Sequence, residues 1–220
     1  IVIFTSDHGD MLGERGMWFK MSFLEHSARV PLIVHAPSRF ASRRVGAAVS
    51  LVDIMPTLVD LATDGTGVDY VTPIEGRSLA PHLAGDAGHD EVIGEYFGEG
   101  TDTPIFMIRR GTSKAIYSDK DPLQLFDLAS DPDEIQNLAQ DSAQQNATRA
   151  ITDEITGRYD TSALTERILE SQRRRALLKT VMGRQALAWD HEPLGHAGES
   201  YIRNSLPIYE LEKRGRFPPA

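Results

Sequence analysis

The 220-residue sequence predicts an α/β protein with a second, smaller layer: a sheet-and-helix unit over residues 1–90, a small antiparallel sheet with amphipathic helices over 91–185, and an extended tail over 186–220. Three observations carry this. Two apolar runs, Ile1-Val2-Ile3-Phe4 and Val30-Pro31-Leu32-Ile33-Val34, lack polar alternation, as strands covered on both faces do. Four short β-rich runs then follow one another between Gly and Asp/Pro turns. Finally, Pro193, Pro207, Pro218 and Pro219 punctuate a stretch with no sustained period.

Taken in order, Ile1–Phe4 reads as a buried parallel strand, and the polar turn Thr5–Asp10 lies at its carboxyl end. Pro31 suits an early or edge position in the second strand. Asp53 can cap a helix running to Leu61, with Ile54, Leu58 and Leu61 on its apolar face and Pro56 in its first turn. Thr63–Gly67 is a loop. Val92–Phe97, Ile105–Arg109, Lys114–Tyr117 and Leu123–Leu128 read as the four strands of the small sheet. Ala143, Ala147, Ile151 and Ile155 recur every fourth residue and define one face of a helix; Leu164, Ile168, Leu177, Val181 and Met182 suggest another. Trp189 is expected to anchor the tail.

Composition narrows function. Lys+Arg 23 against Asp+Glu 32 gives a formal charge of −9, which argues against nucleic acid as a partner. No apolar run approaches the roughly eighteen residues of a membrane helix. Cys is 0, so disulfides, thiolate metal sites and a cysteine nucleophile are excluded within these residues, a composition compatible with the cytoplasm. The chain opens inside an apolar run without Met, which reads as a fragment.

Chemistry concentrates at Asp7-His8-Gly9-Asp10, because open α/β sheets place ligands beyond the carboxyl ends of their strands. A carboxylate beside an imidazole offers a hard oxygen and a borderline nitrogen to a divalent cation. Gly9 would let the backbone turn sharply and approach a ligand. An ordinary Asp-Gly turn is the competing reading. Lys20, inside Trp18-Phe19-Lys20-Met21-Ser22-Phe23, could meet an anion, or could be a surface lysine lying along core aromatics. His26 and His35 read as packed or hydrogen-bonded, and His82, His89, His191 and His196 as surface residues.

The run Ile3–Gly13, then Trp18-Phe19-Lys20, then Glu25–Ile33 resembles the sulfatases of the alkaline-phosphatase superfamily. So do Val52–Leu58 with Asp60-Leu61-Ala62, Glu75–Leu79, and Gln124–Leu128 followed by Asp131-Pro132 and Asn137-Leu138. Lys20–Phe23 and the tail residues Trp189-Asp190 and Tyr201–Asn204 resemble that family's choline branch. The resemblance covers the whole chain, but only the carboxyl-terminal part of the family's length. It implies an alkaline-phosphatase-like sheet sandwich and a sulfuric ester hydrolase acting on a small sulfate ester, choline sulfate.

It further implies that Asp7 and His8 are ligands of a divalent metal, usually calcium, and that Lys20 binds a sulfate oxygen and is catalytic. Glu95, beside Tyr96 and Phe97, is the implied carboxylate for the choline ammonium; Glu99 is the second choice, and an exposed strand-end glutamate is the plain alternative. The nucleophile would be a formylglycine made from a Cys or Ser opening a Cys/Ser-x-Pro-x-Arg motif. His35-Ala36-Pro37-Ser38-Arg39 has His where that residue must stand, so it reads as a strand end and loop. These residues alone are therefore expected to be inactive, with the nucleophile upstream. A homo-oligomer, dimer or tetramer, is expected of the full-length enzyme, and Glu210 or Glu212 of the tail could reach a neighbouring subunit. A phosphonate monoester or phosphodiester hydrolase of the same superfamily, or a truncated non-catalytic product, are the alternatives.

Overall fold

The computed structural model describes residues 1–98 and 101–183. The elements are β1 (Val2–Thr5), β2 (Met11–Leu12), β3 (Trp18–Phe19), α1 (Glu25–Ala28), β4 (Leu32–His35), α2 (Ile54–Ala62), α3 (Ala80–Ala84), β5 (Glu91–Tyr96), β6 (Ile105–Arg110), β7 (Ser113–Ser118), β8 (Gln124–Asp127), α4 (Gln145–Arg158) and α5 (Thr161–Gly183). The chain divides into a unit Ile1–Arg173 and a second unit, Arg174–Ala220. The expected tail, with Trp189, His191, His196, Glu210 and Glu212, lies outside the described residues, as does Glu99.

The apolar run at the start predicts a parallel strand buried on both faces, and the structure corrects both points. β1 pairs antiparallel with β4, with Phe4 opposite Ile33 and Val2 opposite His35. Paired residues share a face. Ile3, Leu32 and Val34 are half-buried on one side, whereas Val2, Phe4 and Ile33 on the other are about 60% exposed. An apolar run specifies a strand, but its second face is buried only where a second layer lies against it. Among the described residues, none does. β4 begins after Pro31, which has no N–H for a ladder.

Asp53 does not act as the expected cap of α2. Ser50 caps a preceding 3-10 turn, Leu51–Asp53. The Asp53 carboxylate, 3% exposed, instead gathers the N–H groups of Ser50 and Arg77, each at 2.8 Å, and His89 Nε2 at 2.9 Å. His82 and His89 are therefore not surface residues: His82 and the side chain of His89 are buried, edge to face at 5.3 Å, with His82 Nε2 at 2.9 Å from the His89 carbonyl. Sequence period misses this because two loops, not one helix face, supply the partners. Likewise Leu58 is exposed while Thr57 is buried, because Thr57 Oγ1 accepts the Leu79 N–H at 2.8 Å and donates to the Asp53 carbonyl at 2.6 Å.

The small sheet forms as expected, antiparallel in the order β5-β6-β7-β8. Its registers place Glu95 opposite Phe106 and Gly94 opposite Met107. Phe106 and Ile108 look toward the helices and pack with Ile155 of α4, Leu164 of α5 and Tyr159. Ile151 and Ile155 meet this layer, but Ala143 and Ala147 are exposed. A four-residue spacing drifts about 40° per step around a helix of 3.6 residues per turn, so three such steps cannot all point one way, and Ala143 lies in a 3-10 turn before α4 begins. Of the second expected face, Leu164 and Ile168 are inside, while Leu177, Val181 and Met182, in the second unit, are exposed.

Tyr159 stacks on Phe106 at 4.4 Å and donates to Glu95 Oε1 at 2.6 Å. Burial, and then the Glu95 carboxylate, push its phenol up to about 12. The neutral form is thus favoured in the fold. Its stabilisation is complete below the unfolded value of about 10 and is lost as pH rises through 10 to 12. Thermal melts between pH 8 and 12 should show a falling melting temperature above pH 10. The fall should be shallower in Tyr159→Phe, though not abolished, because Tyr117 is also pushed up to about 12, by burial and then Asp119.

Candidate functional site

The turn after β1 brings together three of the residues singled out in the sequence. His8 Nδ1 faces the Gly9 carbonyl at 2.7 Å, which assigns the ring proton to Nδ1 and leaves Nε2 as an acceptor. Lys20 Nζ donates to that nitrogen at 2.9 Å, and Asp7 Oδ2 lies 3.4 Å from it. The Asp7 carboxyl is held below the ordinary carboxylate range, chiefly by its own backbone N–H, with His8 adding to the effect. Ser6 Oγ lies 2.8 Å from the His8 carbonyl and steadies the turn. An imidazole lone pair and a carboxylate oxygen at this separation suit one shared cation.

Two donors are half a metal site. Among the described residues, no group of three or more His, Asp or Glu could hold an ion. The missing donors would have to come from elsewhere. The donor types fit a divalent cation, one oxygen anion and one neutral nitrogen.

Gly9 is required for a reason the sequence does not show. Its N–H donates to the Ser27 carbonyl at 2.8 Å, and a Cβ there would stand 2.1 Å from the His26 carbonyl oxygen. The close approach is to the α1 backbone rather than to a ligand. Lys20 is exposed at the end of β3, next to Phe19, which holds a left-handed φ of 70°. Trp18 and Phe19 are exposed rather than core aromatics.

Glu95 is not brought to this group. Gly94 turns toward the Lys20–Phe23 segment, since a Cβ on it would meet Phe23 Cε1 at 2.6 Å. Its neighbour Glu95 points to the opposite sheet face, where Tyr159 holds it. His26 and His35, expected to be packed or hydrogen-bonded, are exposed rather than packed; His26 lines a cleft of about 370 Å³ with Glu14, Arg15, Leu24 and Asp133. In His35–Arg39 the chain turns as expected, with the Arg39 guanidinium on the Leu61 carbonyl at 2.8 Å and on Asp64 at 2.7 Å. Sequence reasoning overlooked Ser27, Glu25, Lys114 and Glu134, which hold the two site segments together. Only Lys114, a cation inside a strand, carried any signal, because burial of a lysine demands partners.

Comparison with known proteins adds what half a site cannot. Residues 13–160 match the family described as N-sulphoglucosamine sulphohydrolase, C-terminal, and residues 166–217 match the choline sulfatase enzyme C terminal. The chain is 40% identical to the choline-sulfatase of Rhizobium meliloti (strain 1021), over 99% of this chain and 43% of that protein. It is 38% identical to arylsulfatase K of Rattus norvegicus, over 63% of this chain and 26% of the relative. Its fold matches the crystal structure of the phosphonate monoester hydrolase of Agrobacterium radiobacter with a TM-score of 0.59 at 27% identity, covering 76% of this chain and 35% of the other. The chain thus spans less than half the length of these proteins.

Proposed function

The chain belongs to the sulfatase family, matching its N-sulphoglucosamine sulphohydrolase C-terminal model over residues 13–160, and on that premise we propose that it is the carboxyl-terminal part of an enzyme that hydrolyses choline sulfate to choline and sulfate. The observation that carries the reading is the Asp7–His8–Lys20 group: the Lys20 amino group and the Asp7 carboxylate lie 2.9 and 3.4 Å from His8 Nε2.

Lys20 would bind a sulfate oxygen, its compact charge opposing the negative charge that gathers as the S–O bond breaks. Asp7 and His8, the latter through Nε2 once the Lys20 amino group leaves that lone pair for the ester, would hold a divalent cation, calcium in this reading; when bound it would supply Lewis-acid charge to the ester. The Gly9 carbonyl fixes His8 in the tautomer that presents Nε2. A formylglycine formed from a Cys or Ser outside these residues would supply the nucleophile. Choline is favoured by the match of residues 166–217 and by the relative aligned along 99% of the chain. The proposed site rests on Asp7, His8 and Lys20; Glu95 stays engaged with Tyr159.

The likeness to a phosphonate monoester hydrolase supports a second reading, in which Lys20 serves a phosphoryl oxygen. The protein purified from its own source should be given choline sulfate, an aryl sulfate and a phosphonate monoester in parallel. A kcat/KM highest for choline sulfate, abolished by a chelator and restored by calcium, is the expected result. Preference for the phosphonate would replace the first reading with the second.

A further inference from the structure

Building on the roles proposed for His8 and Lys20, we infer that Ser27 is the positioning residue of this site and that a group of four charges, two of them buried, anchors Ser27 to the small sheet. Two chain segments must meet for Lys20 Nζ to reach His8 Nε2. Neither is held by extensive pairing: β2 and β3 contribute only two residues each, Met11 opposite Phe19 and Leu12 opposite Trp18. Between them the backbone passes through left-handed Arg15 at φ 55° and Phe19 at φ 70°, conformations that a bulky residue keeps only when its surroundings impose them.

Ser27 imposes them. It is 2% exposed, and its side chain and main chain work in different directions. Its hydroxyl donates to the Lys20 carbonyl at 2.5 Å and lies 3.0 Å from the Ser22 carbonyl. Its own carbonyl accepts the Gly9 N–H at 2.8 Å, one residue after His8. One residue therefore grips the backbone at Lys20 and beside His8, and the preceding His26 carbonyl leaves no room for a side chain at Gly9.

A clamp needs a fixed base, and α1 alone is none: four residues make a single turn, with no side-chain cap on it. The base is electrostatic. The Glu25 N–H donates to Glu134 Oε2 at 2.6 Å. Lys114 Nζ lies 2.8 Å from Glu25 Oε1 and 2.8 Å from Glu134 Oε1, and Arg109 Nη1 lies 3.2 Å from Glu25 Oε2. Lys114 and Glu134 are each 1% exposed, so these contacts act with little water to weaken them. Arg109 stands on β6 and Lys114 on β7, which ties α1 to the best-paired layer of the chain. Glu134 reaches in from a turn whose Asp131 carboxylate accepts the N–H groups of Ile135 and Gln136 at 3.0 and 2.8 Å.

A purely structural Ser27 would stabilise the chain and leave the Lys20–His8 contact alone. The two roles separate at the His8 ring. Nitrogen NMR of His8, recorded without metal or substrate in the wild-type chain, Lys20→Met and Ser27→Ala, reads whether Nε2 accepts a hydrogen bond; thermal melting of each shows that it is folded. Lys20→Met defines the resonance of the unbonded lone pair. Ser27→Ala should stay folded and move most of the way from the wild-type position to that one. A folded Ser27→Ala with the wild-type resonance overturns the inference, as does a wild-type resonance already at the Lys20→Met position. Should Ser27→Ala fail to fold, Ser27→Cys, a weaker donor of similar size, must shift the resonance part of the way; no shift overturns the inference. No activity enters these readings. A protein that left choline sulfate intact would overturn the proposed function and leave this result standing.

Discussion

Lys114→Met should lower the stability of the chain by about 3–5 kcal/mol, the loss that follows when one partner of a buried ion pair is removed and the other stays behind. The lysine is 1% exposed; of its carboxylate partners Glu134 is buried with it and the Glu25 side chain is only 11% exposed. Methionine fills the same volume with an apolar stem, so the cost is electrostatic rather than a cavity. Arg109 still faces Glu25 at 3.2 Å, but among the described residues Glu134 keeps only the Glu25 N–H.

The same reasoning sets a control. In Lys114→Met/Glu134→Gln the amide still accepts the Glu25 N–H but carries no charge, so the double variant should recover more than half of the loss. Urea unfolding of the two single variants and the double variant measures this coupling. If the double variant is no more stable than Lys114→Met, the loss comes from packing and the ionic account fails. The exposed Arg110 pairs with Glu91 and Glu154, each at 2.7 Å, offer the contrast. Their geometry is as good, yet solvent and chain entropy reduce such pairs to about 0–1 kcal/mol.

What the sequence reveals and what it hides divide along range. The four strands of the small sheet are legible because each lies between its own turns, and turn chemistry is a local property. Asp7 and His8 are legible because they are adjacent, and Lys20 because the resemblance carries a motif at the same separation. Lys114 and Glu134 meet Glu25 across 89 and 109 positions, and no period or spacing in one sequence encodes such a meeting. The exposed face of β1 fails for a related reason: Val2, Phe4 and Ile33 look like core, and only the layer opposite them decides whether they are. His82 and His89 read as surface residues, although His82 stands in the short helix α3 and His89 in the loop after it. What makes them structural is Asp53, brought to them by a 3-10 turn far up the chain.

Lys20→Met, made in the protein purified from its own source, should lower kcat for choline sulfate by about 10²–10³-fold, the usual loss when one group aimed at developing charge is removed from a site. The melting temperature should hardly move, because the side chain is exposed and, among the described residues, its amino group's one hydrogen bond is to His8 Nε2 at 2.9 Å. That pairing of a large kinetic effect with a small thermal one distinguishes a group acting on substrate from one acting on the fold. Lys20→Arg should restore little. The amino group is a compact charge aimed at one nitrogen beside Asp7, and a planar guanidinium fork is wider and cannot take the same place without displacing Asp7 or His8. Steady-state kinetics with choline sulfate, separating kcat from KM, check both variants. A kcat within tenfold of wild type in Lys20→Met would place the lysine away from the reacting atoms and leave its contact with His8 a structural one.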